Sequence, residues 1–386
     1  MPSTMSHNNE NEAPHALTNS RTAKPQTTTT TRRPVLGDVT NKLSVKRSSA
    51  VAMQKKQLVK RTTQTLLSAK VVTTTPVART FGSLDLAEGH SPLMLPAEPS
   101  PVAATRLENH DIDTADKDDP ATCWQYAEDI TNYQLKDEKA RKPSAAYMSR
   151  QSDINSKMRA ILIDWLVDVH CKYDLLPQTL HIASHLIDHY LAKDLSVPRQ
   201  KLQLVGVTAL FIASKYEEIY PPEADDFVRI TDNAYTRDEL FRMEEQILAA
   251  ISYRVTFPTG YQFLKRFLKA SRTTDDRVEH FAHYVVDRSL QEYKMIKHLP
   301  STIAAAAVHI ARSQMQDLPA WSSTLEHHSS YSEQSLSDCI EDLKEMLWNA
   351  QNGVGKTSKL SAVRRKFAKE RFMGVSSHPL LLDESA

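Results

Sequence analysis

The chain has 386 residues, a formal net charge of +1 and three cysteines, Cys123, Cys171 and Cys339, none of them in a CxxC pair. This argues against a disulfide framework and a cysteine zinc site and suits a reducing compartment; no apolar run approaches the ~18–20 residues of a membrane span, and the N-terminus shows no hydrophobic signal core. The small net charge hides an uneven distribution: residues 1–108 hold 14 Lys and Arg against 7 Asp and Glu, residues 121–350 hold 26 against 32, and the last 36 hold 7 against 3.

Residues 1 to about 120 are rich in Thr, Ser, Pro and Asn, with Phe81 as the only aromatic. Such a stretch buries too little apolar surface to offset its ordering entropy, and a disordered tail is expected. From Trp124 the texture changes. Only Gly206 and Gly260 interrupt residues 121–350, and prolines recur between segments of helical length with a 3.6-residue apolar period. That pattern predicts an all-α domain. Its first segment, "WQYAEDITNYQ", sets Tyr126, Ile130 and Tyr133 at i, i+4 and i+7 on one narrow face. The face packs either on its own bundle or on a partner.

The helix "MRAILIDWLVDVHCKY" starts at Met158 and places Arg159 inside its apolar arc. A buried guanidinium must be paired, and Asp188 is the expected partner in a structural ion pair. In "TLHIASHLIDHYLA", Leu180, Ile182, Ala183, Leu186, Ile187, Tyr190 and Leu191 share one arc, and His181, Ser184, His185, Asp188 and His189 share the other. One buried face and a solvated histidine face are expected. The three histidines lack the acidic base of an HExxH site and a distant further ligand, so no metal is expected. "KLQLVGVTALFIASKYEEI" is apolar nearly all round from Leu202 to Ala213, as for a helix surrounded by others. Lys215 follows, well placed for the negative end of the helix dipole. "TRDELFRMEEQILAAI" opens with a capping box, Thr236 with Glu239.

A repeat then emerges. "ALFIAS" (209–214) matches "AVHIAR" (307–312) at Ala209/Ala307, Ile212/Ile310 and Ala213/Ala311. Two five-helix bundles in tandem, joined near Pro258, are predicted. The stretch "AQNGVGKTS" from Ala350 fits a relaxed phosphate-loop pattern. Such a loop needs a preceding strand, whereas here an amphipathic segment carrying Leu336, Ile340, Leu343 and Leu347 precedes it. The glycines are expected to end that helix and a basic tail to follow. No catalytic constellation is recognisable, so neither catalysis nor a cofactor is expected. The acidic balance of 121–350 disfavours nucleic acid as a partner.

"MRAILIDWLVDVH", "KLQLVGVTALFIASKYEEIYPPE" and "ITDNAYTRDELFRMEEQIL" together resemble the cyclin box, nearest to mitotic B-type cyclins, and "VHCKYDLLPQTLH" resembles fungal members. The resemblance runs from about Tyr126 to Trp348. It implies two tandem cyclin folds, with the tail at 1–120, an N-terminal helix within 121–148, the first box at 149–257, the second fold at 258–350 and a basic tail at 351–386. It implies a regulatory subunit that binds a cyclin-dependent protein kinase through Lys215, Glu244, Tyr216, Tyr126, Ile130 and Tyr133. It assigns Arg159 and Asp188 to the family's internal ion pair and Leu204 to its central-helix core. Met158, Ile161, Leu162, Trp165 and Gln203 resemble a groove that docks substrate and inhibitor peptides with a basic–x–leucine motif. Asp168 stands at its acidic rim, where many relatives carry glutamate. In the tail, Arg33, Leu36 and Asn41 fit an RxxLxxxxN destruction box read by ubiquitin-ligase machinery, with Lys42, Lys46, Lys55, Lys56 and Lys60 as acceptors. Lys46–Arg47, Lys55–Lys56 and Lys60–Arg61 are import-signal candidates, equally readable as a solvated basic tail. Location in nucleus and cytoplasm and action at the G2/M transition follow from the resemblance; A-type timing and a kinase-free transcription scaffold of cyclin fold are the alternatives.

Overall fold

The computed structural model describes residues 110–380, apart from 318 and 356. The tail readings, Arg33, Leu36 and Asn41 among them, lie outside the described residues. Among the described residues every regular element is helical, and no helix is long and apolar enough to cross a membrane.

Helix α1 (Ala127–Ala140) precedes a first bundle of α2 (Ser156–Tyr173), α3 (Pro177–Lys193), α4 (Leu202–Glu217), α5 (Ala224–Ile230) and α6 (Arg237–Ala250). A second bundle follows with α7 (Gly260–Ser271), α8 (Asp276–Ser289), α9 (Pro300–Gln314), α10 (Ser323–Ser329) and α11 (Ser337–Asn352), and α12 (Ala362–Phe367) closes the order. Local chemistry sets these ends. Asn155 caps α2 by accepting from Met158 N, Thr236 and Glu239 form the anticipated capping box, and Pro177 and Pro300 sit in the first turns of α3 and α9.

The all-round apolar segment and its repeat in the second bundle are the hubs. Every residue of α4 from Leu202 to Ser214 is buried, Leu204 included, and α4 packs against α2, α3, α5 and α6. In the second bundle α9 packs against α7, α8 and α11. The repeat pairs Ala209/Ala307, Ile212/Ile310 and Ala213/Ala311 are all core residues. Gly206 is required by close approach: a Cβ there would lie 2.5 Å from Leu162 Cδ1.

Three expectations change. Helix α3 has no solvated face: its apolar arc meets α4, while its polar arc packs on the second bundle, burying His181, Ser184 and Asp188. Periodicity within one helix cannot reveal that a second bundle covers the opposite side. The segment after α11 is also no free tail. Gly353 at φ 70° caps α11 as expected, but α12 then folds back on α2 and α8 and buries Ala362, Val363, Lys366 and Phe367. At the other end, residues before 120 are packed on the second bundle. Ile112 is buried, and Asp113 accepts from Arg266 Nη2 at 2.8 Å and from Lys269 Nζ at 2.8 Å on α7.

Candidate functional site

Among the described residues, two groups of large apolar side chains are left open, one along α1 and one at the C-terminal end of α4. Tyr126 at the N-cap of α1, and Ile130 and Tyr133 on it, are 64%, 45% and 63% exposed, while the only buried residues of that helix are Thr131 and Glu138. The trio therefore faces solvent, not its own bundle. At the far end of α4, Lys215 Nζ is paired with Glu244 Oε1 of α6 and lies 4.2 Å from the Phe211 ring centroid. Tyr216, Ile219, Tyr220 and Phe241 are exposed around this pair.

The two parts are held by one linker residue. Thr256 pairs its hydroxyl with Tyr216 Oη at 2.6 Å and accepts from Arg141 Nη1, at the end of α1, through its carbonyl at 2.9 Å. The other anchor of α1 reaches the second bundle. Glu138 accepts from Ser301 N at 3.0 Å and from the Ser301 hydroxyl, at the start of α9. A carboxylate at a helix N-terminus is well placed electrostatically, yet burial still raises the Glu138 pKa above its ordinary value. The apolar face of α1 is thus held out by polar anchors at its C-terminal end.

Arg159 lies beneath this surface and is 2% exposed. Its Nε and Nη2 donate to Asp188 Oδ1 and Oδ2 at 2.6 and 2.7 Å, its Nη1 donates to the Leu290 carbonyl at 2.8 Å, and Tyr147 Oη donates to Asp188 Oδ1 at 2.8 Å. Burial alone would make the guanidinium less basic, but Asp188 outweighs it and leaves Arg159 above its ordinary range. The cluster joins α2 and α3 to the turn after α8, so it ties one bundle to the other.

The five groove residues divide. Met158, Ile161 and Trp165 are half-buried along α2, Gln203 of α4 is 8% exposed, and Leu162 is fully buried against Gly206. Leu162 is core, contrary to the expectation, because its position on α2 points at the one glycine of α4.

Other connected groups carry no signal in local periodicity. Asp287 on α8 accepts from Lys366 Nζ at 2.7 Å and lies 3.1 Å from His181 Nε2, joining α12, α8 and α3 in the interior. Burial would raise the Asp287 pKa, but Lys366 and His181 outweigh it and hold the carboxyl far below its usual range. Burial pushes the nearby His170 and His283 down to about 4. His185 and His189 lie against Phe257, with ring centroids 4.2 and 5.1 Å away. Among the described residues no cluster of three or more His, Cys, Asp or Glu is placed to hold a metal ion. The apolar i, i+4 pair Val363 and Phe367 was the one available hint that the basic end of the chain would fold.

Residues 129–256 match the model of the cyclin N-terminal domain and residues 258–381 that of the cyclin C-terminal domain. Cyclin-B1-1 of Arabidopsis thaliana is 40% identical over 270 residues, covering 70% of this chain and 62% of that protein. G2/mitotic-specific cyclin-2 of Medicago sativa is 41% identical over 262 residues, covering 68% of this chain and 78% of that protein. These relatives are plant proteins and lend no support to a special closeness to fungal members. A viral cyclin from herpesvirus saimiri shares the fold, with a TM-score of 0.52 at 18% identity over 61% of this chain and 99% of its own.

Proposed function

Because this chain belongs to the cyclin family, with B-type mitotic cyclins among its relatives, we propose that it is the regulatory subunit of a cyclin-dependent serine/threonine protein kinase acting at the G2/M transition. The observation that carries this reading is the exposed apolar face of α1, a helix tied through Thr256 to Tyr216, the neighbour of Lys215 in the Lys215–Glu244 pair. Tyr126, Ile130, Tyr133, Tyr216, Ile219 and Tyr220 are all exposed, and large apolar side chains open to water are the material of a protein–protein contact. Docked on a kinase, the three α1 side chains contribute apolar burial. Lys215 and Glu244, already together, supply a donor and an acceptor for its backbone and loop groups.

The chemistry then belongs to the kinase. Phosphoryl transfer needs its β3 lysine paired with a glutamate of its αC helix. A subunit that binds only the conformation with αC turned in activates through differential affinity for that state. The subunit itself supplies no reacting group and no cofactor. Met158, Ile161 and Trp165, with Gln203, serve as the docking strip for basic–x–leucine peptides. Arg33, Leu36 and Asn41 mark the chain for ubiquitin-mediated removal, and the protein works in nucleus and cytoplasm.

The test is Lys215→Ala with Glu244→Ala. Lys215 is exposed and Glu244 only partly covered, so the helical CD spectrum is expected to survive while a cyclin-dependent kinase no longer co-purifies from dividing cells. Kinase retention and activation by the double variant at the level of the parent chain would sink the assignment. Salt-sensitive retention on DNA with no kinase bound would favour the scaffold reading.

A further inference from the structure

Helix α12 is anchored from within and leaves both of its arginines, Arg364 and Arg365, exposed. Ala362 N donates to Asp164 Oδ1 on α2 at 2.9 Å, Lys366 Nζ donates to Asp287, and Val363 and Phe367 are buried. Arg365 points the other way: its Nη2 donates to both carboxylate oxygens of Asp168 at 2.8 and 2.7 Å. Asp168 shares a face of α2 with Met158, Ile161 and Trp165; at about 100° per residue the four fall within an arc of about 80°. The apolar strip therefore runs toward a carboxylate, and that carboxylate is already occupied by a cation of the same chain.

The two carboxylates beside the strip are held differently. Asp164 is engaged by Ala362 N and by Gln291 Nε2, a side chain that is fully buried. The Arg365 and Asp168 side chains remain 56% and 44% exposed. An ion pair this open to water contributes little and exchanges readily.

We propose that Arg365 is an internal competitor at the docking strip: it fills the acidic end where the basic residue of an incoming peptide would bind, so that such a peptide must displace it. This rests on the docking reading above and adds its regulation. Arg365 weakens recognition of the peptide's basic residue and leaves the apolar contacts alone, so selectivity shifts toward the leucine. Since an exposed pair is at stake, the effect is a few-fold one.

The experiment uses the full chain and two labelled peptides, one with Arg-x-Leu and one with Ala-x-Leu, in fluorescence anisotropy. Arg365→Ala is expected to tighten binding of the Arg peptide about three- to fivefold, leave the Ala peptide unchanged, and lose its gain at high salt. Adding Asp168→Asn removes the gain. Equal affinity of parent and Arg365→Ala for the Arg peptide overturns the competitor role while leaving docking in place. Binding of neither peptide to any variant, or binding that survives Trp165→Ala, overturns the docking strip and the role of Arg365 with it.

Discussion

Removing Asp188 tests the reasoning about the interior most directly. Asp188→Ala leaves Arg159 with the Leu290 carbonyl and the Tyr147 hydroxyl as neutral partners and no carboxylate, at a site where it is 2% exposed. Breaking a buried pair from one side costs about 3–5 kcal/mol, a large part of the ~5–15 kcal/mol that holds a domain together. At ~2–4 °C per kcal/mol for a domain of this size, the melting temperature should fall by about 6–20 °C. Removing both charges, Arg159→Met with Asp188→Leu, eliminates the stranded cation. It leaves Tyr147 Oη and the Leu290 carbonyl without these partners, at about 1–3 kcal/mol each. A well-packed apolar replacement of the pair itself is neutral to stabilising, so the double variant should be more stable than the single one. Urea unfolding followed by far-UV CD measures both. The single-variant loss should be insensitive to salt, because a buried pair is poorly screened. A cost below about 1 kcal/mol for Asp188→Ala, or a double variant less stable than the single, would refute the account.

Gly206→Ala should destabilise by about 1–3 kcal/mol by overpacking, since the added Cβ meets Leu162 Cδ1 at 2.5 Å; denaturant melts that match the parent chain would show that Leu162 can move aside. Stability should also fall in mild acid. His170 and His283 hold their protons at about 4 in the fold against ~6.5 in an unfolded chain. The unfolded state therefore binds more protons, and stability declines as pH drops from ~6.5 through about 4, by on the order of 3 kcal/mol per imidazole. His170→Gln with His283→Gln should flatten that decline relative to the parent, and NMR titration of either ring near ~6.5 would contradict it.

Much of the fold was legible without coordinates because its cues are local. One all-round apolar helix and a matching stretch 98 residues further on marked the two hubs. A capping box set the start of α6, and glycine set the end of α11. The Arg159–Asp188 partnership could be anticipated because a cation inside an apolar arc demands a counter-ion. The exposed face of α1 was half legible: its three residues share a face by spacing, but whether they cover their own bundle or face water depends on where α1 is anchored. Those anchors, Glu138 on Ser301 and Arg141 on Thr256, span 163 and 115 residues.

What tertiary structure alone decided is what happens between the bundles and at the chain end. The polar arc of α3 is the arc that water would solvate if its bundle stood alone. It is buried because the second bundle brings Asp287, and the segment between the bundles brings Phe257, to meet it. The basic segment after α11 carries the composition of a solvated tail, yet Lys366 is drawn inside because Asp287 waits there and Phe367 and Val363 add apolar burial. Side-chain periodicity reports the faces of one helix, and composition reports an average over a segment. A buried charge is permitted only by a specific partner, and here that partner lies far away in sequence. The amino-acid order determined the helices, their hubs and the family; the packing of one bundle and the chain end against the other decided which polar faces are interior and which apolar face is left for a partner.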